Sequence, residues 1–240
     1  MLADLGQIYL LLALVISVGA AITAVLGART GSLRMRKIAC NFTLLIAALY
    51  TLAIGVMIHA FITKDFSLKL VSAHASSDLS AIYSFTALYA DKSGSIFFWG
   101  WLLSLLTAVI AFQKHRRNPQ IAPYAIALMA IIQAFFISLV SIVADVFEEN
   151  AVTPVEGMGL NPQLQNIGML IHPPLLYLGF AGFMIVFAFV MGALITRASS
   201  AEWTNGIRRW TLFSWCILGL GNLVGAWWAY IELGWGGSWR

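Results

Sequence analysis

The sequence predicts an all-α integral membrane protein. It has six transmembrane helices, both termini outside, and a short surface helix on the outer face before the fifth span. Three observations carry this. Of the 240 residues 60% are hydrophobic and only 10% charged, with mean hydropathy +0.86. A soluble domain carries about 25% charged residues. The apolar runs are about 20 residues long and lack period-2 alternation, which fits helices and excludes a barrel. Finally, basic residues fall on alternate loops.

The spans follow in order as Ile8–Leu26, Ile38–Ile62, Ile96–Phe112, Tyr124–Val143, Leu175–Ile195 and Trp210–Ile231, and none contains Asp, Glu, Lys or Arg. Residues 1–240 read as a single membrane domain without internal repeats. The first span is preceded by MLADLGQ, which has no basic residue. It therefore reads as a retained helix and not as a cleaved leader.

Loop charge sets the expected orientation. Arg29, Arg34, Arg36 and Lys37 follow the first span, Lys114, Arg116 and Arg117 the third, and Arg197, Arg208 and Arg209 the fifth. Nine of the ten acidic residues lie on the opposite side, Glu202 being the exception. Basic loops stay in the cytoplasm, so the two long loops, 63–95 and 144–174, face outward. The basic balance reflects topology, and nucleic-acid binding is not expected. Cys40 and Cys216 belong to no C-x-x-C and read as packed thiols. Without C-x-x-C-H, no covalent haem is expected on the chain itself.

The first outer loop ends in DKSGSIFFWGW. Ser-Gly-Ser suits a helix start, and Trp99 and Trp101 read as interfacial aromatics. In the second, Asn161-Pro162 is a cap followed by a first-turn proline. Leu164, Ile167, Leu170 and Ile171 recur at helical spacing. This predicts a surface helix ended by Pro173, because a residue before proline is pushed out of the α region. Pro174 then starts the fifth span. His172 would occupy the stiff corner between the two.

The chain closes on AWWAYIELGWGGSWR. Trp227, Trp228, Trp235 and Trp239, with Gly236 and Gly237 among them, exceed what interfacial anchoring needs. A positioned imidazole beside indole faces suits haem, since histidine ligates iron and porphyrin packs on flat aromatic surface. An aromatic cage for a quaternary ammonium is the competing ligand. His59, His74 and His115 read as interfacial or solvated. Asn41, Gln133 and Asn222 read as interhelical hydrogen-bonding groups, and Gly221 and Gly225 as a small-xxx-small packing pair. No charge stands at mid-depth, which disfavours an ion-coupled transporter.

The strings GLNPQLQNIGMLIHPPLLYLGF and WWAYIELGWGG closely resemble the N-terminal part of CcmF/NrfE-type cytochrome c haem lyases, and the similarity runs from Leu5 to the last residues. The resemblance implies that His172 is an outer axial ligand to haem iron. It implies that Trp227, Trp228, Trp235, Gly236, Gly237 and Trp239 belong to a haem platform, and that residues 232–240 are the start of a WWD-like haem-binding segment. The chain ends before the Asp of that motif, and the family's second outer histidine and intramembrane histidines have no counterpart here. Where the family usually has an acid before Gly94-Ser95, this sequence has Ser93.

The implied function is that of a haem-binding subunit of a haem lyase, attaching haem to the CXXCH thiols of apocytochrome c. It is expected to be inactive without a C-terminal CcmF-like chain. The implied partners are that chain, a CcmE-like haem chaperone, a CcmH-like thiol-presenting factor, apocytochrome c and the lipid bilayer. The implied location is the bacterial inner membrane, with the functional face periplasmic. The alternatives are a CcmC-like haem-delivery protein and a non-catalytic transporter subunit.

Overall fold

The computed structural model describes residues 2–113, 120–198 and 202–232. Six helices are long and apolar enough to cross a membrane. They are α1 (Leu2–Thr30), α2 (Leu33–Thr63), α5 (Lys92–Phe112), α6 (Ile121–Ser138, prolonged by a π-helical turn Leu139–Val143), α7 (Ile167–Thr196) and α8 (Glu202–Ile231). Two short helices, α3 (Lys69–His74) and α4 (Ala81–Ala87), lie between α2 and α5.

α1, α2, α5 and α6 pack into the centre, α7 lies against α5 and α6, and α8 packs mainly on α7. Small residues permit the close approach. The buried positions of α1 are Ala3, Gly6, Leu10, Ala13, Ser17, Ala20, Ala24 and Gly27, at alternating spacings of three and four. With lipid as apolar as any side chain, helices associate through such tight contacts. Tyr50 of α2 stacks on Phe97 of α5 at 5.5 Å, and Gln133 of α6 donates to the Gly100 carbonyl of α5 at 2.9 Å. The interhelical role expected of Gln133 is therefore present, whereas Asn222 donates to Leu218 O within its own helix.

The loops after α2 and α6 fold over one end of the bundle, here called the long-loop side. Lys64, in the left-handed region at φ 58°, caps α2, and its Nζ donates to Leu79 O (2.8 Å) and Ser84 Oγ (2.6 Å). Asn150 Nδ2 donates to Phe66 O and Ser72 Oγ, each at 2.9 Å. Glu156 accepts from the backbone and hydroxyl of Ser77. Buried polar backbone needs such partners, and these side chains provide them.

One expected element is corrected. Asn161 accepts from Gln163 N and Pro162 follows it, but they open only a 3-10 turn, Pro162–Leu164. Asn166 then caps α7, accepting from Gly168 N at 2.8 Å. The helix runs unbroken through Pro173 and Pro174. No surface helix ends at Pro173, and His172 lies within the second turn of the spanning helix. The physical reason includes a tertiary contact. Pro174 has no N–H for the Leu170 carbonyl four residues earlier, and Tyr89 Oη donates to that carbonyl at 3.5 Å. Spanning helices tolerate proline where neighbouring groups re-satisfy the freed backbone.

Candidate functional site

α7 and α8 run antiparallel along one seam, and small residues set its register. A Cβ on Gly182 would lie 2.2 Å from Ser214 Oγ, and one on Gly179 2.8 Å from Leu218 Cβ. One on Gly221 would meet Leu175 and Leu176, and one on Gly168 would lie 2.5 Å from Trp228 Cγ. Ser214, Gly221 and Trp228 are the buried positions of α8, seven residues apart. At the long-loop end, Asn166 Nδ2 donates to Glu232 Oε2 at 3.1 Å and ties the start of α7 to the end of α8.

His172 sits in this seam, half-buried. Its Nδ1 lies 2.8 Å from the Gly221 carbonyl oxygen. A carbonyl only accepts, so Nδ1 carries the proton and donates, and the lone pair of a neutral ring is on Nε2. Gly225, one turn further along α8, lies under the ring. A Cβ there would come within 2.3 Å of His172 Cε1 and 2.4 Å of Nδ1. The Trp228 ring lies 6.1 Å from the imidazole, tilted by 56°. Gly225 is six residues before the end of α8, which puts the imidazole about 9 Å below it at 1.5 Å per residue.

The two adjacent tryptophans do different things. Successive helical positions differ by about 100°, so only one can enter the seam. Trp228 is 9% exposed and packs over Gly168, whereas Trp227 is 48% exposed on the outside of the helix. The expectation of an indole shelf built by both is narrowed accordingly. Trp228 backs the imidazole, and its Nε1 is buried without a hydrogen-bond partner among the described residues. Trp235, Gly236, Gly237 and Trp239 lie outside the described residues, as does His115.

The other candidate aromatics are packing residues. Trp99 stacks on Tyr177 at 6.0 Å and contacts Phe136 and Phe180, while Trp101 Nε1 donates to Thr51 Oγ1 at 3.0 Å. They are woven into the bundle, beyond simple interfacial anchoring. His74 Nδ1 faces the Leu70 carbonyl of its own short helix at 3.1 Å. No group of three or more His, Cys, Asp or Glu able to hold a metal ion occurs among the described residues. Among the described residues His172 has no second such side chain grouped with it. Sequence reasoning missed Asn166 as the cap of α7, although an Asn directly before the periodic residues Ile167 and Leu170 signals one. It also missed Tyr89, which nothing in the linear order connects to Leu170.

The family described as cytochrome C assembly protein matches residues 89–240. This chain belongs to that family. Among relatives of the cytochrome C assembly protein family, the cytochrome c-type biogenesis protein CcmF of Haemophilus influenzae is 34% identical over 240 residues, covering 100% of this chain and 37% of that protein. The cytochrome c-type biogenesis protein NrfE of the same organism is 38% identical over 189 residues, covering 79% of this chain and 30% of the relative. A solved structure of cytochrome c heme lyase CcmF superposes with TM-score 0.84 at 28% identity, covering 98% of this chain and 37% of that one. The chain thus spans about a third of the length of the relatives it matches. The all-α fold with six long apolar helices is that of the N-terminal part of this assembly family.

Proposed function

We propose that this chain is the N-terminal, haem-holding portion of a haem lyase, working at the outer face of the bacterial inner membrane. His172 provides the axial imidazole for one face of the iron. The single observation that carries this is the pose of His172. Its Nδ1–H is engaged by a backbone carbonyl, which leaves Nε2 as the donor atom. A metal-bound histidine usually gives its other ring N–H to a carbonyl, a carboxylate or water.

The surroundings suit haem as substrate. The seam beneath the ring is closed by Gly225, and the open side of α8 carries Trp227. An indole face accepts a flat apolar macrocycle. Haem attachment adds the S–H of each CXXCH thiol across a vinyl group, so the chain's task is to hold the ring with its vinyls accessible. Positioning of this kind can supply a large part of a rate enhancement.

One imidazole leaves the opposite face of the iron for another chain or segment. The relatives' greater length is the reason to expect a C-terminal CcmF-like chain in that role. A CcmE-like chaperone would deliver haem, a CcmH-like factor would present thiols, and apocytochrome c would be the acceptor.

The test is His172→Ala in the complex of this chain with its C-terminal partner. Copurified haem should fall and its absorption bands should shift. Wild-type haem content with an unchanged spectrum would reject the assignment.

A further inference from the structure

We infer that Gly221 and Gly225 of α8 are positioning residues for His172: the Gly221 carbonyl selects the Nδ1–H tautomer and the bare Cα of Gly225 sets the plane of the ring. This deepens the haem reading and rests on it for its purpose, but its physical content stands without haem.

A histidine on a spanning helix would otherwise be free to choose its tautomer. The neutral ring can carry its proton on either nitrogen, and in water Nε2–H is the more populated form. A proton on Nε2 would remove the lone pair that a metal needs. The 2.8 Å contact to Gly221 O reverses this preference, because only Nδ1–H can donate to a carbonyl. In the low dielectric of the seam such a bond is strong, and an unmade one is costly.

The same contact requires the ring to approach α8 more closely than any side chain would allow. Gly225 meets that need, since a Cβ there would lie 2.3 and 2.4 Å from Cε1 and Nδ1. Gly221 serves twice. Its carbonyl accepts the proton, and its lack of a side chain lets Leu175 and Leu176 of α7 come within 3.0–3.1 Å of where a Cβ would be. The pair is therefore more than a generic packing motif: one glycine spaces the helices and the other holds the ring. α8 packs mainly on α7, so the tautomer of His172 depends on the register of this single seam. Gly219 provides a matched control, since it lies two residues from Gly221 with nothing within 4 Å of an added Cβ.

The experiment uses the full 240-residue chain in lipid nanodiscs, labelled with 15N-histidine. His172→Gln identifies the His172 signals among the four histidines. Without haem, the wild-type ring should show a protonated Nδ1 and an unprotonated Nε2. A ring mainly in the Nε2–H form would overturn the inference, whatever any variant does. In Gly225→Ala the His172 signals should move toward the Nε2–H form, while those of His59 and His74 on other helices stay in place. Gly219→Ala should match wild type. A Gly225→Ala spectrum indistinguishable from Gly219→Ala would also overturn it.

Haemin titration then separates this inference from the functional reading. Gly225→Ala should weaken haemin binding about 10- to 100-fold, the usual effect of losing the group that orients a metal-bound histidine. Haemin binding unaffected by His172→Gln would reject the haem reading alone, because the tautomer result does not depend on it.

Discussion

Removing the Tyr89 hydroxyl should destabilise α7 only while Pro174 is present. Pro174 lacks the N–H that would pair with the Leu170 carbonyl, and Tyr89 Oη donates to that carbonyl at 3.5 Å. Tyr89→Phe deletes the donor and keeps the ring, which packs on Phe98 at 4.8 Å and on Phe85 at 5.8 Å. Side-chain hydrogen bonds between membrane helices average about 0.6 kcal/mol and reach about 1.7 kcal/mol. The length of this one places it near the lower figure, and the burial of Leu170's neighbours Met169 and Pro173 raises it. A loss of about 0.5–1 kcal/mol is expected. Pro174→Ala restores a helical N–H to Leu170, so in that background Tyr89→Phe should cost close to nothing. The double-mutant cycle measures the coupling directly. Reversible unfolding in mixed detergent micelles gives the four stabilities, and amide exchange across residues 170–175 localises the effect. Equal losses from Tyr89→Phe in both backgrounds would refute the claim that Tyr89 compensates for the proline.

Two further outcomes follow from the loops and their charges. Hydrogen bonds from the Ser77 hydroxyl and backbone N–H hold the Glu156 carboxyl below its ordinary value. The folded state then releases this proton at lower pH than the unfolded chain does, so its contribution is present above the ordinary glutamate pKa and disappears as pH falls through the depressed one. Protection of the Ser77 and Met158 amides, taken relative to the intrinsic exchange rate at each pH, should therefore fall in wild type as pH drops below the ordinary glutamate range but hold in Glu156→Gln; identical acid responses would reject this. For topology, a reporter after Arg117 should report the cytoplasm and one at Glu149 the outside, and the reverse pattern would contradict the orientation.

How far the linear order reaches can be read from particular residues. The six spans were legible because a charge inside hydrocarbon is costly, and the sequence keeps every Asp, Glu, Lys and Arg out of the apolar runs. Gly221 and Gly225 were legible as a close-packing pair for the same kind of reason, since small residues at a spacing of four face one neighbour. Asn161-Pro162, read as the start of a helix, opens only a 3-10 turn that ends at Gln165, and Asn166 starts α7 afresh. Pro173 misled because the rule for a residue before proline describes a local steric preference. It carries no information about the tertiary setting, in which Tyr89, more than 80 positions earlier, donates to the Leu170 carbonyl that Pro174 leaves unpaired.

The candidate site shows the same division. His172 and its neighbourhood in Trp227 and Trp228 stand out in the sequence, yet which indole enters the seam depends on the register between α7 and α8. That register is set by Gly168, Gly179, Gly182, Gly221 and Gly225 together. No single one of them reveals it. The corner imagined for His172 is replaced by a position about a turn and a half below the end of α8, held by a carbonyl and a glycine. A corner would restrict the backbone only, whereas the seam fixes the tautomer and the ring plane.

The central claim is that Nε2 of His172 binds haem iron. The most direct measurement is chemical rescue: His172→Gly in the complex with the C-terminal partner, with haem absorption and cytochrome c maturation followed as imidazole is added. The account predicts that the variant loses the wild-type haem bands and that free imidazole restores both the bands and part of the maturation. Wild-type bands in His172→Gly without imidazole would contradict it.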